Sequence, residues 1–417
     1  MSHHIGGPAI FSILIMKTTT PYLTTLTPLR GIAALLVVIF HSNLMLAPFV
    51  DSTKTKFIQS GWLWVDFFFV LSGFVLCHAY GANFQQTVSK TAYKKYLLAR
   101  FARVYPLHFL TLWAAVAVIL VIRSMADGLD PFFQIIFGLY TIPASLLLTQ
   151  SLHLFGTAPL NTPSWSLSTE WWVYMIFPLL VRPFFRLSGI GKLLAFTGIA
   201  ALFLGLMYYI VPHYSNMPFD KPGVLSPPTI NTLTDWGLIR CLAGFLLGML
   251  FYELYRSQWA FGVLKSGWVF LFFAIGVCVA MHAGIHELLI LAFFPFIILT
   301  AAYNSDFVKR ALETRPLQRL GDYSFSIYMV HIPIAFALTA MFTLPQNPKM
   351  FSSFDALMKT KFPPGELMCL LLVGLTLGVA ALTYRYVEVP ARNYINHRFG
   401  HRRQEYSADG IAPKVSA

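Results

Sequence analysis

Charge is scarce in this sequence. Only 11% of its 417 residues are Asp, Glu, Lys or Arg, less than half the share of about 25% in ordinary soluble domains. That excludes a conventional solvated surface for most of the chain. Acidic residues are the fewest, 17 against 30 Lys and Arg, for a net charge of +13. An excess of that sign first suggests nucleic acid. However, no basic patch has the folded context of a nucleic-acid module, and the charges fall in short loops between apolar runs. Cysteine is rare as well: Cys77, Cys241, Cys278 and Cys369 all sit inside apolar segments. They read as small core residues, which excludes a disulfide framework. A metal site is not expected, because His282, His286 and Glu287 share helical spacing but lack a third ligand. The opening MSHHIGGPAIFSILIMKTTT has neither the charged n-region nor the cleavage site of a signal peptide. Met16 before Lys17 offers an alternative start, so residues 1–16 are assigned no function.

Apolar residues are abundant, at 57%, and arranged in runs of about twenty, the length that spans a bilayer as a helix. The expected fold is an all-α polytopic membrane protein: a bundle of about ten transmembrane helices plus one re-entrant or interfacial helix. Spans are placed near 30–48, 62–79, 105–123, 167–184, 192–212, 237–255, 267–283, 286–303, 323–344 and 366–386. The stretch 132–150 is also apolar, but Pro143 interrupts it, and it is expected not to cross. The expected division is a segment 1–28, a membrane domain 29–395 and a polar, basic tail 396–417.

With ten spans, one set of segments between them collects 21 of the 30 basic residues, among them Lys90, Lys94, Lys95, Arg100, Arg103, Arg315, Arg319 and Arg392. The positive-inside rule then puts both termini in the cytoplasm. The expected location is the cytoplasmic (inner) membrane, crossed many times.

This topology sorts the intramembrane polar residues by depth. In LRGIAALLVVIFHSNL, Arg30 and His41 are eleven residues apart, so they share one helix face about 16–17 Å apart along the axis. Arg30 lies near the inner surface. His41, Asp66, Glu170 and Arg240 lie toward the outer one. An ionisable group costs at least ~2.5–3.5 kcal/mol at the centre of a membrane helix, so each needs a partner or a function. His41 is the best general base in the chain. Asp66, in GWLWVDFFFVLSGFVL, suits either orientation of that imidazole or a pairing with Arg240. Ser72 and Gly73 read as packing residues. Arg100 and Arg103 lie one turn apart on a short helix expected to end before Pro106. They suit phosphate recognition, or else anchor the helix at the inner face. In NTPSWSLSTEWW, Glu170 either complements a helix dipole or faces an outer polar cavity. There Trp165, Ser166 and Arg240 are the expected acceptor-binding residues, and Trp171 offers a further flat surface. His331 either lines the path of the reacting group or is a satisfied structural histidine. Glu388 and Arg392 read as an ion pair closing the bundle.

Together these segments resemble the acyltransferase-3 family of membrane acyltransferases. RGIAALLVVIFH resembles its Arg-x10-His signature and VDFFFVLSGFVL the block that follows. RFARVYP is similar to its Arg-x-x-Arg…Pro segment and SWSLSTE to its Ser-Trp-Ser-Leu-Ser-x-Glu block. LGDYSFSIYMVHIP and YRYVEVPAR are similar to its last blocks, in matching order from about Leu29 to Arg392. The resemblance implies an O-acyltransferase that moves an acyl group, commonly acetyl, from cytoplasmic acyl-CoA to a carbohydrate or glycolipid hydroxyl at or beyond the outer face. It implies Arg30 and His41 as the essential pair, Arg100 and Arg103 as donor-associated, and Glu170 as part of the Ser-Trp-Ser block. Acetyl-CoA is then a co-substrate, with no tightly bound cofactor. The soluble hydrolase-like domain that some relatives append has no counterpart here, so handover is expected to end within the membrane domain. His41, oriented by Asp66 or Glu170, would act as base, or carry the acyl group itself. A proton-coupled carrier or flippase is the competing class, since buried His, Asp, Glu and Arg suit one too. No internally repeated halves support it. The sequence leaves the acceptor and the acyl group undetermined.

Overall fold

The computed structural model of the chain describes residues 22–152, 159–215 and 228–399. Residues 1–16, most of the polar tail and the loop portions 153–158 and 216–227 lie outside them. Among the described residues all regular structure is helical. Hydrocarbon offers backbone N–H and C=O groups no partner, and a helix satisfies them within one segment.

The elements are α1 (Leu26–Met45), α2 (Trp64–Phe84), α3 (Lys90–Met125), α4 (Ser164–Phe185), α5 (Gly189–Gly205) and α6 (Gly237–Arg256). They continue with α7 (Gly267–Ala283), α8 (Glu287–Tyr303), the short amphipathic α9 (Arg315–Asp322), α10 (Ser324–Phe342) and α11 (Gly365–Thr383). Among the described residues, seven helical runs, those of α1, α2, α3, α5, α6, α10 and α11, are long and apolar enough to cross a membrane. The more polar α4 and the 17-residue α7 and α8 complete ten long helices. The chain is a multi-pass membrane protein. Within their most apolar stretches α2, α6 and α10 are 72% buried but α5 only 28% and α11 only 22%. The first three therefore form the centre and the last two the rim. The rim exposes Leu193, Leu194, Leu370 and Leu382, as a surface solvated by lipid tails allows.

The central contact is α2 against α6, and glycine sets its closeness. A Cβ on Gly73 would lie 2.0 Å from the Phe245 carbonyl oxygen, and one on Gly248 1.9 Å from that of Val70. Lipid tails are as apolar as leucine, so such backbone approach is what holds membrane helices together.

Three elements differ from the expectations. The stretch 132–150 is not one helix but three short pieces, Pro131–Ile136, Leu139–Thr141 and Ile142–Leu146. None is long enough to cross. Its end is held inside the protein, with His108 Nε2 2.8 Å from the Ser145 carbonyl and Trp172 Nε1 and Ser168 Oγ donating to that of Leu148. Non-helical backbone at membrane depth requires such partners, and Leu148 itself has φ +55°. Second, Arg100 and Arg103 do not lie on a separate short helix. α3 runs unbroken through Pro106 for 36 residues. Third, α11 does not stop at 386. It passes through a π turn, Tyr384–Glu388, into Val389–Phe399, and α5 does likewise through Leu206–Ile210. A proline follows each π turn by two residues (Pro390, Pro212). Proline lacks the N–H for the carbonyl four residues back and collides with it. Widening the preceding turn relieves both problems.

Candidate active site

At one end of the bundle, here called the basic end, α1 meets α9 closely. A Cβ on Gly31 would lie 2.5 Å from the Leu320 carbonyl carbon, and one on Gly321 2.1 Å from the Thr27 carbonyl oxygen. This contact draws Arg30 of α1, Arg103 of α3, Asp322 of α9 and Arg392 beyond α11 into one electrostatic neighbourhood. Glu388 does not close the bundle with Arg392, as the sequence suggested. It is fully enclosed and pairs with Arg103, while its second oxygen accepts from Ser326 Oγ at 2.9 Å. The π turn that carries Glu388 thus ties α11 to α3 and α10. Arg392 interacts instead with the Tyr384 hydroxyl. Arg30 Nε is buried without a protein partner. Burial pushes the Asp322 carboxyl up from the usual carboxylate range, against the pull of Arg30, Arg103 and Arg392. Even with Glu388 and Asp322 counted, three arginines against two carboxylates leave a net positive cluster.

Arg100 sits one turn before Arg103, yet it points to different company. Its Nη2 donates to the Tyr80 hydroxyl at 3.0 Å, its guanidinium stacks 5.0 Å from that ring, and it lies in the field of Tyr174 and Tyr96. Its attraction reaches Glu170, which accepts from Ser72 and Tyr174. Ser72 is therefore a hydrogen-bond donor to Glu170 rather than packing alone.

Asp66 and Arg240 form a closed unit in the core. Arg240 donates from Nε and Nη2 to the two carboxylate oxygens at 2.8 and 2.6 Å, and from Nη1 to the Thr232 carbonyl at 3.1 Å. Both side chains are inaccessible to solvent. Trp62 and Trp165 lie over the guanidinium at 4.8 and 5.3 Å. Asp66 thus faces Arg240, and the partners of His41 Nδ1 are the Val37 carbonyl and His331 instead. Trp165 is only 4% exposed, wedged between Arg240 and Phe69, so it offers no free face to a sugar ring. Gly237 accommodates it, since a Cβ there would lie 2.9 Å from the indole. Ser166 Oγ is shared between the Pro163 carbonyl at 3.0 Å and the Tyr328 hydroxyl at 2.8 Å. Trp171 lies apart from this unit, packed edge-on to Phe101.

His41 occupies the far half of α1. Its Nδ1 is 3.0 Å from the Val37 carbonyl one turn back and 3.2 Å from Nε2 of His331. A carbonyl only accepts, so Nδ1 carries the hydrogen and Nε2 the lone pair, the tautomer a general base needs. His331 is fully buried in α10, and its Nδ1 contacts the Tyr328 carbonyl at 2.7 Å. The sequence offered His331 only as one of two readings, and its pairing with His41 was not foreseen. No signal in the sequence pointed to it. Nearby, Pro333 cannot donate to the Met329 carbonyl, and Asn161 Nδ2 takes its place at 3.0 Å.

Comparison with known proteins identifies the family. The acyltransferase-domain family model matches residues 26–385. Acyltransferase MdmB of Streptomyces mycarofaciens is 30% identical over 75% of this chain and 79% of its own length. Protein 2 in the picA locus of Rhizobium radiobacter is 34% identical over 34% of this chain and 73% of its own. Peptidoglycan O-acetyltransferase OatA of Listeria monocytogenes is 22% identical over 94% of this chain, which spans 60% of that longer protein. No solved structure gives a significant match. The chain belongs to the acyltransferase-3 family and is a membrane-embedded acyltransferase.

Proposed function

We propose that this protein moves a small acyl group, acetyl in the simplest case, from acyl-CoA to a hydroxyl of a carbohydrate or glycolipid on the opposite side of the cytoplasmic membrane. The observation that carries the reading is the arrangement along α1. Arg30, with an unpartnered Nε, stands in an arginine cluster at the basic end, and His41 stands eleven residues further along the same face, about 16 Å away. The positive-inside rule assigns the basic end to the cytoplasm, where acyl-CoA is made.

The nucleotide end of coenzyme A carries several phosphate charges, and Arg30, Arg103 and Arg392 supply the complementary field, with Arg100 one turn nearer the start of α3. Guanidinium groups suit phosphate oxygens in pairs. A pantetheine arm, thin and neutral, reaches into the bundle past Arg30 and brings the thioester to His41. There Nε2 takes the proton from the acceptor hydroxyl as its oxygen attacks the thioester carbonyl. The carbon–sulfur bond then breaks, and the thiolate recovers the proton from His41 to leave as free CoA. Inside the bundle, Glu170 accepts from Ser72 and Tyr174, and the Ser166 and Tyr328 hydroxyls are hydrogen-bonded to each other. The name of the Listeria relative supports a carbohydrate acceptor.

The donor half is tested by titrating CoA against the detergent-solubilised protein. Arg30→Gln with Arg392→Gln weakens binding at least tenfold while the folded fraction is kept. Binding that ignores both substitutions removes the donor site from the basic end.

A further inference from the structure

In catalytic arrangements that use histidine as base, a third group usually holds the imidazole in one tautomer and supports the charge it acquires. The sequence nominated Asp66 or Glu170 for that role. Asp66 is spent on Arg240, and Glu170 accepts from Ser72 and Tyr174. What stands against His41 is a second imidazole. The two rings lie 4.9 Å apart between centroids, tilted by 49°.

The hydrogens on this pair follow from their partners. His331 Nδ1 faces the Tyr328 carbonyl at 2.7 Å. It therefore holds a hydrogen, and a neutral His331 presents Nε2 as a lone pair. That lone pair meets His41 Nδ1 at 3.2 Å, the nitrogen whose other neighbour, the Val37 carbonyl, is also an acceptor. Both acceptors demand the same hydrogen on Nδ1 and leave Nε2 of His41 as the free base. The Tyr328 carbonyl thus sets His331, and His331 with Val37 sets His41.

We propose that His331 is the positioning residue for His41, a neutral imidazole in the place a carboxylate takes beside other histidine bases. The inference rests on the reading of His41 as the base. A carboxylate at this depth would itself need a cation, whereas His331 needs only the backbone of its own helix. When His41 Nε2 takes the acceptor's proton, its Nδ1–H remains directed at His331. When that proton passes to the leaving thiolate, His41 returns to neutral, and each ring keeps the Nδ1 hydrogen it began with.

Two measurements test this. The first needs no activity: the full chain is labelled with 15N-histidine in detergent, and nitrogen–nitrogen coupling across an N–H···N hydrogen bond is sought. The expected result is one coupled pair, lost in both His41→Gln and His331→Gln. Its absence from the wild type overturns the proposal. The second follows label from acetyl-CoA into membrane glycans and glycolipids. His331→Leu, which removes the acceptor, lowers kcat about 100-fold with KM for acetyl-CoA unchanged. His331→Gln, whose side-chain oxygen can accept in place of Nε2, recovers roughly tenfold of that loss. Equal losses in the two variants, tracking loss of folded protein, overturn the positioning role. A wild type that shows the coupled pair but transfers no label retains the hydrogen bond and defeats the catalytic reading instead.

Discussion

Arg240 and Asp66, 174 positions apart in sequence, meet in a two-pronged ion pair from which solvent is wholly excluded. A pair of this kind acts as a strut. Removing one partner strands a buried charge and costs about 3–5 kcal/mol, whereas replacing both by apolar groups of similar volume is often neutral or stabilising. Asp66→Leu alone is expected to abolish most folded protein in detergent. Asp66→Leu with Arg240→Met restores thermal stability close to wild type. A double variant no better than the single one would show that the pair is not an isolated unit.

A second strut lies beside the histidines. Asn161→Leu leaves the Met329 carbonyl without a donor, at a cost of about 1–3 kcal/mol. Pro333→Ala returns a backbone N–H to that carbonyl. In the Pro333→Ala background the loss of Asn161 becomes nearly silent, and a thermal-unfolding double-mutant cycle measures the difference.

The glycines divide into two kinds. Gly73→Ala and Gly248→Ala push a methyl to 2.0 and 1.9 Å from a facing carbonyl oxygen, so α2 and α6 must separate and melting falls sharply. Gly374→Ala and Gly378→Ala meet nothing within 4 Å on α11. They gain up to about 1 kcal/mol of helix propensity each, and melting holds or rises.

Asp322 makes donor binding depend on pH. Its carboxyl, raised by burial, is charged above its titration and then subtracts from the field of Arg30, Arg103 and Arg392. Below it only Glu388 opposes the arginines. Asp322→Asn therefore binds CoA roughly 3–10-fold more tightly than wild type at pH 7. The ratio falls toward one as pH drops through the Asp322 titration. CoA's own protonation cancels in that ratio, which binding titrations from neutral pH downward supply.

Much of the architecture was legible in the sequence because membrane helices announce themselves by apolar length. Each of the ten expected spans coincides with a long helix. Boundaries failed where proline was read as a stop: α3 runs through Pro106, because lipid leaves the chain no better option than to stay helical. For the site, spacing on one helix gave Arg30 and His41 a shared face. Partners across helices were not legible. Asp66 was correctly offered Arg240 as one of two choices, but nothing in the sequence could choose. Glu388 with Arg103 and His41 with His331 arise from packing between segments about 290 residues apart.

The central claim is that His41 transfers the proton on which acyl transfer depends. Membranes holding equal amounts of wild type or His41→Gln are given acetyl-CoA labelled in the acetyl group, and label is followed into extractable glycans and glycolipids. The expected result is label with the wild type and a loss of about 100-fold or more with the variant. Full transfer by His41→Gln would contradict the account.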